Sequence, residues 1–228
     1  NKIIMSNIII RESINIKANC AGKFVIDSIG IHSTEPVAIK SAIWVDNTFI
    51  IEGNNNNGFN GNLHFVNTTV SDSCCIIING VKYTPNTTPS FSSSDYKIFN
   101  YNWIDDNRKN VTLGGINVLG SSTFQINIPL SNICNINSSG SSNIIISNDN
   151  QNTKLNINVS GTINIDGNSK ISSLILNSSG VSNICGFMVS DNINLNGSGV
   201  GNIILYRYDK CVVNKNTSMC MNVRIHRI

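Results

Sequence analysis

Charge is scarce in this chain: 13% of its 228 residues are Asp, Glu, Lys or Arg, and the formal net charge is +3. With the five Arg and eleven Lys scattered, so small a balance gives no basis for a nucleic-acid interface. The one local basic cluster, Arg224-Ile225-His226-Arg227, reads as a solvated end. Histidine is rarer still. His32, His64 and His226 lie far apart, and none has metal-ligand spacing. There is no Gly-x-Ser-x-Gly elbow, phosphate loop or dinucleotide fingerprint. No apolar run approaches the roughly 18 residues needed to cross a bilayer, and no signal peptide is visible. Neither a cofactor, a metal nor membrane insertion is therefore expected. Helical stripes are missing as well, which excludes helix bundles and α/β folds.

Cysteine is present without pattern. Cys20, Cys74, Cys75, Cys134, Cys185, Cys211 and Cys220 make an odd count with no CxxC pair, which speaks against a disulfide framework or zinc site and for assembly in a reducing compartment. Cys211 and Cys220, flanking a polar loop, are the pair to watch for a disulfide.

Asparagine and isoleucine are abundant: 40 Asn and 38 Ile make up about a third of the chain. Isoleucine supplies strand-forming core and asparagine supplies turns, so the composition favours β structure. Both also use AT-rich codons, which points to the source genome rather than the fold.

One motif orders these residues. Ser139-Gly140-Ser-Ser-Asn143-Ile144 returns as Ser160-Gly161-Thr-Ile-Asn164-Ile165, Ser179-Gly180-Val-Ser-Asn183-Ile184 and Ser198-Gly199-Val-Gly-Asn202-Ile203. The glycines lie 21, 19 and 19 residues apart, and a degenerate copy, Leu119-Gly120-Ser-Ser-Thr123-Phe124, stands 20 residues earlier. Four residues before each glycine come Ile116, Ile136, Ile157, Leu176 and Leu195; three before come Asn117, Asn137, Asn158, Asn177 and Asn196. Cys134, Leu155, Leu174 and Ile193 form another column, which makes Cys134 a small buried hydrophobe. Apolar positions two apart follow the period of a strand. Each copy reads as two very short strands joined by a Ser-Gly corner, where glycine permits a backbone angle that other residues resist.

A unit of roughly 20 residues cannot bury its own apolar row, but stacking copies makes a continuous core. The fold class is all-β: a β-solenoid, or β-helix-like stack of about 20-residue repeats. Residues 1–94 are expected to form an irregular β N-terminal region and residues 95–228 the repeat domain. The best linker candidate is Thr84–Ser94, rich in proline and serine, and Asn79-Gly80 signals a hairpin. Ile203–Tyr208 and Met221–Ile225 read as closing strands that cap the stack. Stacked asparagines form side-chain amide ladders. Asn137, Asn158, Asn177 and Asn196, with Asn143, Asn164, Asn183 and Asn202, are assigned to such ladders as inward-facing structural groups rather than ligand-binding rows. Gly140, Gly161, Gly180 and Gly199 are assigned as repeat corners.

Eight Asn-x-Ser/Thr sequons occur, at Asn67, Asn86, Asn110, Asn137, Asn158, Asn177, Asn196 and Asn216. Four of them are ladder asparagines followed by the corner serine, so the repeat generates them and they say little about glycosylation.

Catalysis needs convergent polar groups of unlike pKa. Asp149, Asp166, Asp191 and Asp209 fall at different places relative to their repeat glycines and form no common site. Asp105-Asp106, read as strand neighbours, point to opposite faces. Gly197-Ser-Gly199-Val-Gly201 lacks the helix that must follow a phosphate loop and is a repeat corner. A non-enzyme is expected. The alternative is a carbohydrate-binding or carbohydrate-cleaving solenoid with Tyr96, Tyr101 and Trp103 as a stacking platform, against which stands the reading of these aromatics as core. An ice-binding face is disfavoured because the ladders are not regular threonines.

Over roughly residues 111–208, ending in Gly201-Asn-Ile-Ile-Leu-Tyr206, the columns resemble the family of the putative auto-transporter adhesin, head GIN domain. The resemblance implies a β-solenoid-like fold and a non-catalytic surface role. The expected partners are other proteins or further copies of this chain, with carbohydrate as the alternative. Two settings are open: a cell-surface adhesin, or a structural component of the particle of a large AT-rich virus, which the cysteines and the Asn/Ile bias favour slightly.

Overall fold

The computed structural model describes residues 11–54, 96–148 and 150–228, together with the backbone of 76–78 and 81–83. The strands, in chain order, begin with β1 (Glu12–Asn19), β2 (Ala21–Ile26), β3 (Gly30–Ser33), β4 (Ile39–Val45), β5 (Thr48–Gly53), β6 (Ile76–Ile78), β7 (Val81–Tyr83) and β8 (Asn100–Asn102). Then follow β9 (Val111–Val118), β10 (Ser121–Ile126), β11 (Leu130–Ser138), β12 (Ser141–Ile146), β13 (Asn150–Val159), β14 (Thr162–Asp166), β15 (Lys170–Ser178), β16 (Val181–Gly197), β17 (Val200–Arg207), β18 (Val212–Thr217) and β19 (Met221–Arg227). Most are longer than the very short strands expected from the motif.

The strands wind into a β-solenoid of about six turns. One ladder runs β1, β9, β11, β13, β15, the C-terminal half of β16 and β18, all parallel. A second runs β2, β10, β12, β14, the N-terminal half of β16, β17 and β19, also parallel. The register superposes the repeat columns: Ile16, Ile116, Ile136, Ile157, Leu176 and Leu195 lie in one row. Phe24, Phe124, Ile144, Ile165, Ile184 and Ile203 lie in the facing row. All twelve are buried. Since neighbouring strands lie about 4.8 Å apart, each side chain packs on its counterpart one coil away.

Strand pairing crosses the boundary expected at residue 94. β1 and β2 form the first coil, although no Ser-Gly motif marks them. In the later coils β10 passes to β11 through residues 127–129, whereas β2 passes to β9 through the excursion 27–110. In that excursion β3 pairs antiparallel with β2 and with β8, β5 lies parallel on β1, and β4 pairs antiparallel with β5. Ile78 lies opposite Val81, as the Asn79-Gly80 hairpin signal requires. The linker candidate Thr84–Ser94 lies outside the described residues.

The excursion carries its own aromatic core. Phe49 and Tyr101 sit 4.4 Å apart, Phe49 and Trp103 5.8 Å in an edge contact, and Phe24 and Phe124 stack at 5.4 Å where this core joins the coils. Trp103 Nε1 donates to the Asp27 carbonyl at 2.9 Å, so its one polar atom is satisfied. Arg108 lies over the Trp44 ring at 3.8 Å and pairs with Glu12, tying the end of the excursion to the first coil.

Candidate functional site

The regular surface of the stack is built from its asparagine columns. Successive residues of a strand point to opposite faces, so burying Ile136, Ile157 and Leu176 turns Asn137, Asn158 and Asn177 outward. They are exposed or half-buried. The expectation of inward-facing asparagines is therefore corrected. On the first ladder Asn158 Nδ2 donates to Asn137 Oδ1 at 2.9 Å, Asn177 to Asn158 at 3.0 Å and Asn196 to Asn177 at 3.3 Å. On the second, Asn143 Nδ2 donates to Thr123 Oγ1 at 3.3 Å, Asn164 to Asn143 at 2.7 Å and Asn183 to Asn164 at 2.8 Å. It continues from Asn202 to Asn183 at 3.4 Å and from Asn222 to Asn202 at 3.2 Å. A shorter row joins Asn156 to Asn135 at 2.9 Å. Each amide donates toward the N-terminal coil, so the side-chain dipoles of a row are aligned.

At the corner the serines Ser139, Ser160, Ser179 and Ser198 are exposed. With Asn137, Asn158, Asn177 and Asn196 they line a shallow groove of about 510 Å³ along the stack. The corner glycines beside them do not have left-handed φ angles, contrary to expectation. Their requirement is close approach: a Cβ on Gly140 or Gly161 would stand 2.1 Å from the carbonyl oxygen of Gly120 or Gly140, and on Gly180 or Gly199 2.0 Å from that of Gly161 or Gly180. Cys20 occupies this place in the first coil, where the neighbouring position is Gly53 of β5, whose own Cβ would lie 2.9 Å from Cys20 Cα.

Sequence reasoning missed the buried polar pairs behind the corner. Ser142 Oγ donates to Ser138 Oγ at 3.0 Å, and Ser178 and Ser182 share a hydrogen bond at 2.7 Å. In the coil between them the same two places hold Val159 and Ile163, both buried. The available signal was serine at a spacing of four in alternate copies.

The remaining polar candidates are dispersed. Asp166 lies opposite Cys185 in the register, Asp191 accepts from Ser190 at 2.7 Å, and Asp209 accepts from Arg227, which holds its carboxyl below the usual range. Asp149 and His64 lie outside the described residues. Asp105 and Asp106 end a short 3₁₀ helix, Trp103–Asp106, whose first turn is capped by Asn102 Oδ1, rather than lying on a strand. His32 Nδ1 is 3.9 Å from Asp27 Oδ2, and the His226 ring lies tilted against Tyr206 at 5.5 Å. Among the described residues, no group of three or more His, Cys, Asp or Glu is placed to hold a metal ion, and no helix is long and apolar enough to cross a membrane.

The stacking platform does not assemble. Trp103 and Tyr101 are buried at 0% and 2% exposure while Tyr96 is 70% exposed, so no shared aromatic face meets solvent. Cys211 and Cys220 are both free, the first buried and the second exposed. Burial pushes the Cys134 thiol up to about 12 and the Cys20 thiol up to about 11. What the surface offers is an ordered field of amides and hydroxyls suited to contact.

No curated protein and no solved structure matches the chain. A family does: residues 104–226, more than half of the chain, match the putative auto-transporter adhesin, head GIN domain. The match begins beside Trp103 and takes in every coil but the first. The solenoid and its repeating corners thus have a family to which they answer, and this chain belongs to the putative auto-transporter adhesin, head GIN domain family.

Proposed function

We propose that this chain is a non-enzymatic adhesive module that makes protein contacts through the asparagine and serine rows of its outer faces. The observation that carries this reading is the unbroken row of Asn137, Asn158, Asn177 and Asn196 beside the exposed corner serines. Such a row presents the same donor and acceptor at every coil, held by a rigid core. It suits an extended partner with repeated polar groups, and a second copy meeting it face to face is such a partner. Its setting is the cell surface, in keeping with the family. The carbohydrate alternative loses its aromatic platform to the core.

Beads coated with the protein test the reading. Replacing Ser160 and Ser179 by Glu should abolish bead adhesion to cells or to immobilised protein while leaving circular dichroism unchanged. Unaltered adhesion, or a saturable hydrolase or lyase activity of the purified protein, would overturn it.

A second setting, the particle of a large virus, is favoured by the cysteines of the described residues, Cys20, Cys134, Cys185, Cys211 and Cys220, all of them free, since a reducing compartment keeps thiols unpaired. Fractionating the source separates the two, by recovery with surface membrane or with assembled particles.

A further inference from the structure

The second ladder presents a different outer face from the first. In its middle coils, β12, β14, the N-terminal half of β16 and β17 turn two columns outward. One is the amide row from Asn143 to Asn202. The other, two residues further along each strand, is Ile145, Asp166, Cys185 and Ile204. A groove of about 340 Å³ runs between them. Ile145 is 40% exposed and Ile204 half-buried. The corner groove of the first ladder is walled by hydroxyls and amides, whereas this one has an aliphatic wall broken by one carboxylate.

Asp166 is exposed and carries the only charge among the residues that line this groove. The Cys185 thiol, 3.9 Å from Oδ1, is a weak donor to it. Among the described residues no Lys, Arg or His pairs with it, and the first cation along its column is Arg224, three coils on. A carboxylate set between aliphatic side chains and left without a cation is complementary to a basic side chain flanked by apolar ones. We propose that this groove docks an extended segment of another protein in which an arginine or lysine stands two places from an aliphatic residue on either side. The proposal rests on the reading of the outer faces as protein-contact surfaces and names the chemistry of one partner.

The coil spacing sets that pattern. From Ile145 to Ile204 is three steps of about 4.8 Å, roughly 14 Å, and the first and fifth residues of an extended chain lie about 13 Å apart. Alternate side chains of such a segment face the same way. Its first and fifth residues therefore cover Ile145 and Ile204 while the third reaches Asp166. Its backbone runs beside the amide row, where each asparagine keeps one N–H beyond its ladder bond. A second copy is the poorer occupant. Four short strands make a face of about 20 by 20 Å, half of the roughly 800 Å² that each partner of a stable interface covers.

The test titrates the full chain against a fluorescein-labelled peptide of valine, serine, arginine, serine and valine. Fluorescence anisotropy should show saturable binding below about 1 mM that weakens with salt. Asp166→Asn should weaken it about threefold, the scale of an exposed ion pair, and Ile145→Ser should weaken it as well. Both side chains are exposed, so circular dichroism should not change. Amide resonances of Asp166 and Cys185 should shift on titration while those of Ser160 and Ser179 stay in place. Equal binding of a peptide with glutamate for arginine, no binding of the arginine peptide, unchanged binding by Asp166→Asn, or shifts at the serine corner would overturn the proposal. So would self-association of the protein that Asp166→Asn abolishes. Neither variant touches the groove of Ser160 and Ser179, so bead adhesion and peptide binding fail separately.

Discussion

Gly161 leaves no room for a side chain. Its missing Cβ would sit 2.1 Å from the Gly140 carbonyl, so Gly161→Ala must push two coils apart, and a cost of about 3 kcal/mol is expected. Ser160→Ala, next door but exposed, should stay within about 0.5 kcal/mol; urea unfolding of both compares them. The buried serines behave as a pair. Ser182→Ala strands the Ser178 hydroxyl and should cost about 1–3 kcal/mol, while Ser178→Ala/Ser182→Ala should cost less than the sum of the singles because no unpaired group remains. Among the thiols, Cys185 and Cys220 should react with a disulfide reagent at pH 8, and Cys20 and Cys134 only after unfolding. The folded pKa values of Cys20 and Cys134, about 11 and 12, lie above the ordinary 9.0. Their neutral forms are therefore favoured by folding, and stability complete below pH 9 should decline as pH rises toward those values. A melting series from pH 8 to the alkaline limit reads this out.

A ladder responds according to position. Asn158 donates to Asn137 and accepts from Asn177, so Asn158→Ala removes two amide bonds and should cost about 1–3 kcal/mol, whereas Asn156→Ala removes one and should cost about half as much. Thermal denaturation of the two variants checks the ratio. The same rows show what could be read from residues alone. Columns of Ile and Asn recur in phase, and the register keeps that phase because each coil repeats the strand period. The direction of the asparagines was misread because a turn residue invites a corner explanation, while strand alternation decides which neighbour is buried. The first coil escaped notice because its corner lacks the signature glycine: Cys20 sits where Gly53, not another full corner, lies against it. Trp103 and Tyr101 resembled a binding platform because nothing in their spacing reveals that Phe49, from a distant hairpin, closes over them.

Taken as a stack, the molecule should tolerate the loss of one whole coil. Deleting residues 141–161 joins Gly140 to Thr162, whose register place is that of Ser141, so the Ile columns and corners remain in line. Far-UV circular dichroism of this variant should keep its β signature with lowered stability, while a deletion half as long should not fold, because it would set corners against strands. Among the described strands β18 pairs with β16 alone, whereas β13 lies between β11 and β15, so amide exchange should be slower in β13 than in β18.

The excursion 27–110 leaves the stack after β2 and returns to it at β9, in the place where later coils spend only residues 127–129 on the same passage. The core does not register how much chain is threaded through that passage. A turn of this solenoid is therefore a splice point: a lineage, or an engineer, can graft a new surface there and inherit the packing unchanged.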